Sequence, residues 1–127
     1  MLAIRGHDIR WIEAKHKTYF TWYRVGKVWT TGIDTYYFNQ YVQLSETTQL
    51  PVWLLFLHSR SDSPDGICPT GLYGATVEQL RGCIDHEHKA YGRGGMLYWK
   101  DTDLTLLANL SEVQQAARQM GYEGKTG

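Results

Sequence analysis

Glu13 and Lys15 stand two positions apart in WIEAKHK, residues 11–17, within an otherwise apolar and β-prone run. Side chains of a strand alternate between faces, so Glu13 and Lys15 share one face while Ile12 and Ala14 take the other. A carboxylate offers oxygen donors to a hard cation, and an ammonium offers positive charge to the oxygens of a phosphodiester. His16 and Lys17 follow directly and keep the end of the strand basic.

The elements that must position this pair are legible from pattern. Residues 2–5 and 9–15 read as a hairpin around Gly6, His7 and Asp8, with Asp8 in the turn. Residues 18–25 and 28–31 read as a second ribbon joined across Gly26 and Lys27, rich in Tyr19, Phe20, Trp22, Tyr23 and Trp29. Asp34 is an N-cap type residue for a helix running to about Thr47, with Phe38, Tyr41, Val42 and Leu44 forming its apolar stripe. PVWLLFLH, residues 51–58, is a continuous apolar run whose length favours a fully buried strand. Residues 59–74, rich in Ser, Asp, Pro and Gly, read as a long loop.

Further on, Thr76 with Gln79 forms a capping-box pattern for a short helix to Cys83. Residues 91–95 read as a glycine-rich turn, and residues 96–99 and 104–107 as strands separated by the acidic turn 100–103. Ser111 with Gln114 marks a last helix to about Met120, stopped by Gly121. The expectation is a single α/β domain over residues 1–127, with a mixed central sheet flanked by helices.

Charge is distributed unevenly. Residues 1–33 hold Arg5, Arg10, Lys15, Lys17, Arg24 and Lys27 against Asp8 and Glu13, a net +4, which the remaining residues balance with net −4. A basic, aromatic N-terminal ribbon points to an anionic partner, with Lys17, Arg24 and Lys27 meeting phosphates and Trp22 and Tyr23 stacking on unpaired bases. No apolar run reaches membrane-spanning length, and no secretory signal pattern opens the chain. The expectation is a cytoplasmic protein, without a membrane partner, whose Cys68 and Cys83 are thiols. Cys68, Cys83, His86 and His88 match no standard zinc spacing.

The Glu13-Ala14-Lys15 pattern, preceded by a partner strand and followed by a helix and a buried strand, resembles the catalytic core of the PD-(D/E)XK nuclease superfamily. WIEAKHKTYFTWY, then TGID, an aromatic helix and PVWLLFLH, is also similar to small nuclease-like proteins of phages and mobile elements, a resemblance covering roughly residues 2–58. It implies a restriction-endonuclease-like core and Mg²⁺-dependent phosphodiester hydrolysis. Glu13 would be a Mg²⁺ ligand, Lys15 would steady the attacking water and the developing charge, and the partner would be nucleic acid, in the first place DNA. Gln40 and Tyr41 lie on the helix where RecB-like members carry a glutamine and a tyrosine near the site.

The chain departs from the family at the second carboxylate. A two- or three-residue turn sets Leu2 or Met1 opposite Glu13, so the family's Asp belongs at or just before Met1. Asp8, the one acidic residue upstream, is about 17 Å of strand away. The family's N-terminal helix is missing as well, so the core reads as N-terminally truncated. The expectation is an impaired site that binds Mg²⁺ weakly or not at all, unless another part of the fold or another subunit supplies an acid. Sheet surface left bare by the lost helix would be covered by a second copy in a homodimer. The alternative function is a non-enzymatic protein-interaction module of a mobile element.

Overall fold

The computed structural model describes residues 1–121. In chain order the elements are β1 (Leu2–Arg5), β2 (Asp8–His16), β3 (Thr21–Tyr23), β4 (Val28–Asp34), α1 (Thr35–Thr48), β5 (Val52–His58), β6 (Asp62–Ser63), β7 (Gly66–Ile67), β8 (Gly71–Thr76), α2 (Val77–Arg81), β9 (His86–His88), β10 (Met96–Lys100), β11 (Thr105–Ala108) and α3 (Leu110–Gln119). They build a mixed α/β fold. The central sheet has the order β1-β2-β5-β8-β11 and a second sheet has the order β3-β4-β10-β9. No helix among the described residues is long and apolar enough to cross a membrane.

The first hairpin turns on Gly6, whose φ of +60° is a left-handed conformation that glycine adopts without steric cost. Its register pairs Leu2 with Trp11 and Arg5 with Asp8. Met1 extends the ladder, accepting from the Ile12 N–H at 2.7 Å and donating its ammonium to the Ile12 carbonyl at 2.8 Å. Two expectations are corrected here. Asp8 opens β2 rather than sitting in the turn, because the connection has only two residues. For the same reason Met1 faces Ile12 and Leu2 faces Trp11, so neither stands opposite Glu13.

β2 and β5 run parallel, pairing Glu13 with Leu54 and Lys15 with Phe56. Parallel neighbours need a crossover, and β3, β4 and α1 supply it. Val52, Leu54, Phe56 and His58 point into the core with Tyr73 and Ala75 of β8, while Trp53, Leu55 and Leu57 on the other face stay half-buried. The run PVWLLFLH is therefore a strand covered on one face, not on both. The core is closed from the opposite side by Phe38 of α1, Val77 and Leu80 of α2, and Ile33, Leu97 and Trp99 of the second sheet. Trp99 is buried and donates its indole N–H to the Leu80 carbonyl at 2.8 Å.

Other boundaries shift for local reasons. Asp34 occupies the N-cap position of α1 without a side-chain cap bond. Instead the Thr35 and Tyr36 N–H groups donate to the carbonyls of Gly95 and Arg93, so the glycine-rich turn caps the helix. The Thr76/Gln79 capping box forms, but α2 stops at Arg81. α3 is capped by Asn109 with Glu112, two residues ahead of the Ser111/Gln114 pattern. The loop 59–74 contains the β6–β7 ribbon and the start of β8, and β9 had no counterpart in the sequence reading.

Candidate functional site

The inward row of β2 carries Glu13 and Lys15 on one face, as the alternation requires, and Lys17 continues it just past the strand's end. The Lys15 ammonium lies 3.6 Å from Glu13 Oε1. Above it, α1 presents Tyr37 and Tyr41 one turn apart, with ring centroids 5.4 and 5.5 Å from Lys15 Nζ. Burial alone would lower the Lys15 pKa, but the Tyr41 hydroxyl and Glu13 together outweigh it and the pKa is raised. Lys15 is a held, permanent cation.

Lys17 differs. Burial lowers its pKa and Lys15 lowers it further, while Asp34 pulls the other way. Among the described residues it has no carboxylate within ion-pairing distance. The Lys17 N–H donates to the Leu57 carbonyl at 2.8 Å, which places the residue beside His58. His58 is fully buried and stacked on Phe20 at 3.6 Å and 12°. Among the described residues neither of its ring nitrogens has a hydrogen-bond partner, although the Tyr19 backbone lies near enough to favour the charged form. Burial, helped by Lys17 and His16, pushes its pKa down to about 4, so His58 is a neutral ring at pH 7.

The remaining residues singled out from sequence are dispersed. Gln40 is exposed and donates to the Tyr36 hydroxyl at 3.0 Å, away from Glu13. Its neighbour Tyr41 does reach Lys15. Trp22 packs edge-on against Trp29 at 5.0 Å, and its backbone N–H donates to Asp65 at 3.4 Å. Tyr23 stacks on His86 at 3.6 Å, so one of its faces is occupied. Arg24 and Lys27 lie in the exposed β3–β4 turn beside Val25, which is 83% exposed.

Glu13 as drawn does not fit a Mg²⁺ ion. This cation requires several oxygen donors in near-octahedral geometry, and one carboxylate already compensated by Lys15 does not supply them. Among the described residues no group of three or more His, Cys, Asp or Glu side chains is placed to hold a metal. Asp8 projects from the opposite face of β2, five residues from Glu13, and pairs with Arg10. The ladder position facing Glu13 falls one residue ahead of Met1. The cysteines are likewise apart: Cys68 donates to the Arg60 carbonyl at 3.3 Å and Cys83 to the Gln79 carbonyl at 3.2 Å.

Tyr37 and His58 stand beside these lysines but were not singled out from sequence, and Asp34 was read there only as a helix cap. Tyr37 was detectable as the residue four before Tyr41. His58 was detectable from the alternation in β5, which puts residues 54, 56 and 58 on one face.

No family model, curated protein or solved structure matches this chain.

Proposed function

We propose that this protein binds nucleic acid, in the first place DNA, on a PD-(D/E)XK nuclease-like core whose phosphodiesterase site is incomplete. The observation that carries the reading is the placement of Glu13 and Lys15. They share the inward face of a strand flanked by an antiparallel neighbour and a parallel one, with Tyr41 of the following helix at the ammonium. In such a site Lys15 meets a phosphate oxygen and Glu13 fixes the lysine, while Arg24 and Lys27 engage backbone phosphates further along. The setting is cytoplasmic, where Cys68 and Cys83 stay reduced.

A salt titration of duplex binding together with a Mg²⁺ cleavage assay tests this. The expected result is modest affinity that declines linearly in log–log form as salt rises, with little cleavage. Salt-independent binding, or none at low ionic strength, defeats the reading.

A second reading, a protein-interaction module, is favoured by the outer face of the central sheet. Ile12, Trp53, Leu55, Leu57 and Leu72 are only half-buried there, and Leu107, beside Leu55 over Gly74, is 45% exposed. A second copy on this face would make the homodimer, and sedimentation of the purified chain decides whether it forms.

A further inference from the structure

On the outer face of the second sheet, three aromatic rings stand in a row. Tyr23 stacks on His86 at 3.6 Å and 9°, and His86 stacks on Tyr98 at 4.6 Å and 4°. His86 is locked in place, since its Nδ1 lies 2.7 Å from Asp85, whose other oxygen is 3.9 Å from the Lys100 ammonium. Tyr98 lies directly over Gly32, where an added Cβ would come within 2.7 Å of the Tyr98 ring carbons. Only glycine on β4 lets that ring sit there.

The stack ends at a cleft. Tyr98 lines a groove of about 500 Å³, together with Met96, Tyr19, His16, Lys17 and Arg60. Tyr23 and His86 are not among its lining residues, so the groove meets Tyr98 where His86 does not cover it. The opposite wall is basic. Arg60 is partly neutralised by two hydrogen bonds from Nη2 to Asp62, at 3.1 and 3.2 Å, and His16 is engaged with Ser59 at 2.7 Å. Among the described residues Lys17 is the lining cation without a paired carboxylate, and it is half-buried. Asp34 offsets that charge only from beyond ion-pairing distance, so an anion bound in the groove would reduce the cost of burying it. Thr18, next in the wall, has a φ of 42°, strained for a β-branched residue, and such strain gathers at ligand clamps.

We propose that this groove holds one unpaired nucleotide of single-stranded DNA, its base stacked on Tyr98 as the fourth ring of the row and its phosphate on Lys17 and Arg60. The proposal rests on the nucleic-acid reading above and deepens it. The row is already assembled before the ligand arrives, so the base adds to an ordered stack without ordering the rings first. A base face is recognised without sequence preference, whereas a duplex, whose bases are already stacked on each other, offers no free face.

The test uses the full chain with a fluorescein-labelled oligothymidylate and, separately, a blunt duplex. Tyr98→Leu, which keeps apolar bulk and removes the ring, should weaken single-strand binding about tenfold. Lys17→Gln should weaken it and flatten the salt dependence. Thymidine 5′-monophosphate should displace the labelled strand at concentrations where inorganic phosphate does not. A folded Tyr98→Leu variant that keeps full single-strand affinity overturns the proposal, as does equal displacement by phosphate. If Tyr98→Leu fails to fold, Lys17→Gln and the two competitors decide the matter. Duplex binding without a single-strand contribution from Lys17 overturns the groove and leaves the proposed function standing. No binding to either probe overturns both.

Discussion

The two N-terminal hairpins, β1–β2 and β3–β4, share a composition and differ in what their charges face. In the first, Arg10 pairs with Asp8 and Lys15 with Glu13, so each of these two cations of β2 has an acid two positions away on its own strand. In the second, Arg24 and Lys27 stand in an exposed turn with no acid paired to them among the described residues. The aromatic groups divide as well: Trp22 and Trp29 are spent on each other, while Tyr23 joins a stack that ends in a groove. A net charge of +4 over residues 1–33 therefore does not describe one basic surface. It is the sum of two internally paired cations on β2, the exposed Arg24 and Lys27, and Arg5 and Lys17, which have no ion-pair partner among the described residues.

The largest expected effect concerns the first hairpin, where the limiting element is an acid and not a base. A Met-Asp extension ahead of Met1 places a carboxylate in the ladder position facing Glu13, since Met1 already faces Ile12. Mg²⁺ binding should appear in that variant, and cleavage of a plasmid should rise from near background by at least about tenfold. Glu13→Ala in the extended chain should abolish the gain, whereas Asp8→Asn, on the other face of β2, should leave it. Calorimetry with Mg²⁺ and a gel assay check both statements, and a gain that survives Glu13→Ala would separate the site from this face altogether.

For the second hairpin, Arg24→Glu with Lys27→Glu should reduce duplex affinity about tenfold or more at 50 mM salt and lower the magnitude of the salt slope by about two. Arg10→Glu, which removes an internally paired cation, should change affinity far less. Fluorescence anisotropy at three salt concentrations measures the contrast. Equal losses from the two hairpins would mean that charge acts by total rather than by place.

Much of the frame was legible because it is periodic. The alternation in WIEAKHK placed Glu13 and Lys15 together, and the Thr76/Gln79 and glycine signals located α2 and the turn at 91–95. What sequence could not deliver depended on long-range pairing. Gly95 and Arg93 cap α1 from sixty residues away, which Asp34 concealed by being a good cap residue itself. The groove joins the end of β2 to Tyr98 on β10, and the row Tyr23–His86–Tyr98 needs three strands of a second sheet that the aromatic ribbon alone did not announce. Gln40 and Tyr41 are adjacent in sequence, yet a helix turns neighbouring residues about 100° apart, and only Tyr41 faces Lys15.

The inner face also contains a titration of its own. Burial holds the His58 pKa at about 4 against its ordinary 6.5. Between those values the unfolded chain takes up a proton that the folded chain refuses, so stability falls as pH drops below about 6.5 and this contribution stops changing below about 4. At pH 5 the loss is on the order of 2 kcal/mol relative to pH 7. His58→Phe keeps the stacking on Phe20 and removes both unpartnered nitrogens, so its urea midpoint should shift less between pH 7 and pH 5 than that of the parent chain. An unchanged pH difference would show that His58 is not the group responsible.

The smallest effect separates the two candidates on α1. Gln40→Ala removes one hydrogen bond between exposed groups, its Nε2 to the Tyr36 hydroxyl, and should change stability by no more than about 0.5 kcal/mol and DNA affinity not measurably. Tyr41→Phe keeps the ring 5.5 Å from Lys15 but removes the hydroxyl that helps to raise the lysine pKa. With burial and Glu13 left to set the balance, Lys15 should titrate at lower pH while the fold remains intact. Its charge near pH 7 is preserved either way, so DNA affinity at that pH should barely move, and the loss should emerge only in alkaline solution as the ammonium deprotonates. Affinity measured from pH 7 to 10 distinguishes this from a packing defect, which would weaken binding equally at every pH. A pH-dependent loss on Gln40→Ala instead would mean that α1 presents its other neighbour to the site.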